Sequence, residues 1–75
     1  MMKVEEFLKL EPADVEKRFD ILKKEEYLLL AEYFELPLSS RMRKDEIKEK
    51  VANVMIERGY LKSFEFSEAA EPSLS

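Results

Sequence analysis

The chain has 75 residues, 13 Lys and Arg against 17 Asp and Glu, one Gly, three Pro, and neither His nor Cys. That length allows one small domain with a thin stability margin, so every large apolar residue is expected in the core. The missing Cys excludes a disulfide scaffold, and with the missing His it excludes most zinc sites and the usual acid–base catalyst near neutral pH.

The first predicted helix covers Lys3 to Leu10. Val4, Phe7 and Leu8 fall at i, i+3 and i+4, one helical face. It stops near Glu11 because Pro12 follows. Pro12 then opens a second short helix, where its missing N–H costs nothing. Ala13, Val15 and Phe19 supply that helix with apolar contacts, and Asp14 and Glu16 suit its N-terminal end.

The third predicted helix runs from Lys24 to Glu35. Tyr27, Leu28, Ala31 and Phe34 form its stripe, widened by Leu30. Glu25 and Glu26 occupy the first turn, where the macrodipole favours acids. Leu36-Pro37 ends it. Leu38 to Met42 reads as an extended connector. The last helix spans Arg43 to Arg58, with Ile47, Val51, Val54 and Met55 at i, i+4, i+7 and i+8. Gly59 stands where a left-handed C-cap belongs.

After Ser63 the pattern is lost. Residues 63–75 read as a largely disordered C-terminal tail or linker, with residues 1–62 as the helical domain. Phe64 and Phe66 alternate with polar residues, and the chain offers no partner strand for them. They are candidates to cover the end of the core left open after Gly59. There is no internal repeat. No segment approaches the roughly 18 apolar residues of a membrane span, and the acidic start does not read as a signal peptide. The expectation is an intracellular protein, cytoplasmic or nuclear, with no membrane partner.

The charge is uneven. Residues 1–40 hold 6 basic and 10 acidic side chains, residues 41–58 hold 6 and 4, and residues 59–75 hold 1 and 3. Arg41, Arg43, Lys44 and Lys48 in this basic island are the candidate phosphate or nucleic-acid contacts, placed at a helix N-terminus that offers free N–H groups. The opposing reading is a solvated helix surface with Lys44 and Lys48 paired to neighbouring Asp45, Glu49 or residues of the facing helix. Four cations in a chain of formal charge −4 predict only weak, salt-sensitive binding.

Other candidates carry less. Tyr27, Tyr33 and Phe34 have the chemistry of a stacking platform, but their spacing argues for the core. Asp14, Glu16 and Asp20 lack the spacing of a calcium loop. Ser39 and Ser40 have no His to activate a hydroxyl. Met1, Met2, Met42 and Met55 read as core filler rather than a partner groove. No catalytic residue, metal site or cofactor is expected.

The segment Leu22–Val51 reads LKKEEYLLLAEYFELPLSSRMRKDEIKEKV: a leucine, a helix, an apolar residue at its exit, an extended stretch, then Lys-x-x-Ile opening a second helix. It resembles the helix–extended loop–helix class shared by SAP domains and the N-terminal helical domain of the Rho termination factor, and RMRKDEI looks most like the Rho-type version. Over residues 4–61 the chain also resembles the N-terminal segments of gag-like polyproteins from vertebrate retroelements. The resemblance implies an all-α fold, a bundle of about four helices with a SAP-like unit at about 22–58. It implies that Leu22, Leu28, Ala31, Leu36, Met42, Ile47 and Val51 form the small core, and that Arg43 and Lys44 match phosphate-contact positions. SAP domains usually carry a loop Gly that Ser39-Ser40-Arg41-Met42 lacks, which removes the easiest close approach of backbone to phosphate.

The expected function is a small non-catalytic interaction module at the N-terminus of a larger gag-like protein, binding a protein partner or itself. The alternative is a weak, sequence-nonspecific DNA- or RNA-binding module. A nucleic-acid binder should present its basic residues on a face free of carboxylates. A protein-binding module should show them mixed with acids, and a separate exposed apolar patch.

Overall fold

The computed structural model describes residues 3–62 and shows an all-α bundle of four helices: α1 (Val4–Leu8), α2 (Pro12–Asp20), α3 (Lys24–Tyr33) and α4 (Lys44–Glu57). The expected tail, residues 63–75, lies outside the described residues, as do Met1 and Met2.

At five residues α1 is too short to persist alone, and it is held by burial of Phe7 and by packing on α3. It ends before Leu10. The Lys9 N–H donates to Glu6 and the Leu10 N–H to Phe7, both at 3.2 Å, and such three-residue bonds tighten a last helical turn. Pro12 begins α2, and Val15 and Phe19, four apart, are its buried residues. Lys17 and Arg18 stand in the last turn of α2, where cations suit the dipole.

In α3 the buried residues are Tyr27, Leu30 and Ala31, with Phe34 buried just after it. Leu28, expected in this stripe, is only partly buried, and Leu30 is fully covered. The reason is angular: at 3.6 residues per turn, Leu30 lies about 50° from the centre of the buried face and Leu28 about 110°. In α4, Ile47, Val51, Ala52 and Met55 are buried, and Val54 packs at the edge. Leu36 and Met42 also pack at the edge of the core, whereas Leu22 is buried within it. Two large apolar residues depart from the expected all-inside rule: Ile21 is 77 % exposed and Tyr33 47 %.

α3 packs on α4, and the two helices run in the same direction. Near their starts, the Lys48 ammonium lies 6.0 Å from the Tyr27 ring centre. Near their ends, the Phe34 and Tyr60 ring centres are 5.8 Å apart. A parallel pair needs a connection that returns the length of the helix, which residues 34–43 supply. The connector is not extended throughout. The Leu38 N–H donates back to Leu36 at 2.8 Å, a tight turn about Pro37, and the Met42 N–H donates to Ser39 at 3.1 Å.

Both long helices end in the same motif. The Leu36 N–H donates to Ala31 and the Glu35 N–H to Glu32, at 2.8 and 3.0 Å; the Tyr60 N–H donates to Met55 and the Gly59 N–H to Ile56, at 2.8 and 3.1 Å. These are the paired bonds of a Schellman cap. The left-handed residue is Gly59 in α4, with φ 86°, and Glu35 in α3, with φ 61°. A side chain in that conformation costs roughly 1–2 kcal/mol.

Two outcomes follow from this geometry. Leu30→Ala should cost about 2–5 kcal/mol, enough to unfold most of a domain of this size, and Leu28→Ala distinctly less; chemical denaturation followed by circular dichroism ranks them. Glu35→Gly should stabilise by about 1 kcal/mol, and Gly59→Ala should destabilise by about as much. No atom lies within 4 Å of a Cβ at position 59, so that cost is one of backbone conformation alone.

Candidate functional site

None of the four helices begins with Ser, Thr, Asp or Asn; the N-cap residues are Lys3, Glu11, Lys23 and Arg43. In α3 and α4 a glutamate three residues on does the capping. Glu26 Oε1 accepts from the Lys23 N–H at 2.8 Å, and Glu46 Oε1 accepts from the Arg43 N–H at 3.1 Å. This is the carboxylate half of a capping box. The Asp45 carboxylate also accepts from the Glu46 N–H at 3.0 Å. Acids therefore already engage backbone donors at the start of α4.

Of the four candidate contacts, Arg41, Arg43 and Lys44 are exposed. The Arg41 N–H donates to Ser39 Oγ at 3.0 Å, which fixes the turn leading into Arg43. Lys48 has a different position. Its ammonium donates to the Asp20 carboxylate at 3.0 Å and to the Asp20 carbonyl at 3.2 Å, tying α4 to the last residue of α2. Its side chain is only 18 % exposed. The structure thus separates Lys48, a tie between helices, from the three cations at the surface.

Because α3 and α4 are parallel, the start of α3 lies at the same end of the molecule and adds Lys23 and Lys24 to the basic group. The island at 41–58 did not include them. The signal that finds them is the repeated order basic–Lys–acid–Glu at 23–26 and 43–46. The same repetition brings Glu25, Glu26, Asp45 and Glu46 to that end, so cations and carboxylates are interleaved there. All 13 basic residues lie within 3–62, while Glu65, Glu68 and Glu71 lie beyond; the described segment carries 13 basic against 14 acidic residues, a formal −1. Overall charge is therefore a weaker argument against nucleic acid than −4 suggests, and the interleaving a stronger one.

The aromatic candidates do not form a platform. Tyr27 and Phe34 are buried, and Tyr33 alone of the three is exposed. Tyr33 lines a groove of about 410 Å³ with Glu5, Leu8, Lys9 and Tyr60. The groove lies where α1 meets the C-terminal ends of α3 and α4, and the Tyr33, Phe34 and Tyr60 rings follow one another there. The Arg58 guanidinium lies 5.3 Å from the centre of the Phe34 ring. A second open groove of about 430 Å³ runs between α1 and the start of α3, with Lys3, Glu6, Arg18 and Glu26 on its walls. Among the described residues no group of three or more acidic side chains is placed to hold a metal ion, and no helix is long and apolar enough to cross a membrane.

Tyr27 is fully buried, and its hydroxyl donates to the Phe19 carbonyl. Burial pushes its ionisation well above the usual tyrosine range, and the nearby Asp20 charge adds to the shift. The fold therefore favours the neutral phenol. That stabilisation is complete below the unfolded tyrosine pKa of about 10 and is lost as pH rises beyond it. One of the three tyrosines should ionise only as the helical signal is lost, read by tyrosinate absorbance beside circular dichroism. Tyr27→Phe should remove that coupling and, with the Leu22 N–H still donating to the Phe19 carbonyl at 3.5 Å, cost about 0.5–1.5 kcal/mol at neutral pH.

The chain matches no protein family, no curated protein and no solved structure.

Proposed function

We propose that this chain is a small non-catalytic interaction module that binds a protein partner or a second copy of itself. The observation that carries the reading is the separation of two surfaces. The basic end interleaves its cations with carboxylates, while a groove that sets Leu8, Tyr33 and Tyr60 beside Glu5 and Lys9 lies open at the opposite end of α3. Tyrosines are favoured at protein interfaces because each joins a large apolar face to a polar tip. The proposed context is an intracellular, gag-like protein of retroelement origin, supported by the resemblance over residues 4–61. A zinc knuckle or an aspartic protease segment encoded downstream would support that context.

The rival reading is weak, nonspecific DNA or RNA binding through Arg41, Arg43 and Lys44, favoured by their exposure beside a helix start. Titration of labelled protein with short DNA and RNA at about 0.15 M salt, where screening is strong, separates the two. Millimolar-range binding or none is expected. Saturable low-micromolar binding, with NMR shifts confined to residues 40–48, would promote the rival. In that case, replacing Arg43 and Lys44 with Glu should weaken all sequences alike and flatten the salt dependence by about 0.9 log units per lost duplex contact.

A further inference from the structure

We propose that this chain pairs with a second copy of itself through Ile21, each copy seating its Ile21 in the open groove between α1 and the start of α3 of the other. Such pairing rests on the interaction-module reading and gives it a face apart from the Tyr33 groove. A single apolar side chain at a surface is ordinary; what marks Ile21 is where it stands. It is the C-cap residue of α2 and 77 % exposed. Arg18, three residues before it, is its neighbour on the helix surface, and Leu22 follows it. Both Arg18 and Leu22 line the groove, which encloses about 430 Å³. A knob beside its own hole is what a two-fold axis requires: the same patch on both partners, with the knob of each in the hole of the other. A foreign partner would need only one of the two.

The charges of the groove also fit a second copy. Its walls carry Lys3 and Arg18 against Glu6 and Glu26, so the two signs balance and a copy meets a copy without net repulsion. Among the described residues the ion pair formed is Lys48–Asp20, and Lys3, Arg18 and Glu6 take part in none. Glu26 is engaged at the Lys23 N–H through its Oε1. Glu6 is thus the free carboxylate of the groove, and Arg18 of one copy pairs with Glu6 of the other. Leu10, half-buried, and Leu22, buried, supply the apolar surface on which the isoleucine lies. The interface belongs to the small, transient class that buries less than about 1,200 Å².

Sedimentation equilibrium of the full chain tests the pairing. The mass should rise from monomer towards dimer by about 1 mM, an affinity suited to a transient contact. Ile21→Ser should hold the monomer mass over the same range with its dilute-solution Tm unchanged. Arg18→Glu and Glu6→Arg should each stay monomeric alone, because like charges then face one another. Mixed in equal amounts they should associate, because both cross-copy pairs are restored. All three positions are exposed, so the fold is kept in each variant. A wild type that keeps the monomer mass throughout overturns the pairing and leaves partner binding to the Tyr33 groove. A dimer that survives Ile21→Ser, or that is lost in Tyr33→Ser instead, overturns it too, and so does a mixture of the two charge variants that stays monomeric.

Discussion

The buried Tyr27 phenol is the contact on which the rest of the arrangement depends. It stands at the first buried position of α3 and reaches across to the Phe19 carbonyl, in the last turn of α2. That carbonyl also accepts from the Leu22 N–H at 3.5 Å, so the phenol is a second donor at a helix end, where the last carbonyls have no intrahelical partner. The same ring packs edge-on to Phe19, with centres 5.1 Å apart, and lies beneath the ammonium of Lys48. One side chain of α3 therefore touches both the last turn of α2 and the first half of α4. The Lys48–Asp20 pair lies just outside it. The Asp20 side chain is 64 % exposed, so the pair contributes little energy of its own and serves mainly to fix register.

Much of the fold was legible because its apolar residues follow helical spacing and its breakers are unambiguous. Pro12 starts α2, and Gly59 ends α4, as single residues with one conformational meaning each. The end of α3 was not legible in the same way. Its left-handed residue is Glu35, a residue type that does not announce that conformation, and Leu36-Pro37 drew attention one step too far along. Leu28 was misplaced for a related reason. In an apolar run such as Leu28-Leu29-Leu30, spacing does not say which leucine faces inward; the direction of the buried face is set by Tyr27, Ala31 and Phe34 together. Tyr33 was legible as an aromatic residue, and its exposure follows from its place about 110° from the centre of the buried face of α3, on the side away from Leu28.

The candidate site was legible in part for a different reason. Charge along a sequence shows which residues are basic, not which are already engaged. Lys48 could be read as a phosphate contact or as paired to a carboxylate, and only the fold, by bringing Asp20 from 28 residues earlier against it, decides for the pair. Lys23 and Lys24 looked remote from the island until α3 and α4 proved parallel. Both rearrangements come from the long connector, whose return path places the two helix starts together.

That geometry also bears on what the basic end can do. Two parallel helices presenting their N-terminal ends together would concentrate positive potential, since each carries about half a unit charge there. Here the same sequence grammar that supplies the cations supplies a glutamate for each cap, and those carboxylates take the N-cap N–H groups of both helices. An incoming phosphate must therefore compete with Glu26 and Glu46, which are held a few bonds away at high effective concentration. The carboxylates that make α3 and α4 start without a conventional N-cap are the ones that weaken this end as an anion site. The aromatic groove has no helix N-terminus to compete for; its walls set the apolar faces of Leu8, Tyr33 and Tyr60 beside the charged Glu5 and Lys9, a mixture of apolar face and polar rim.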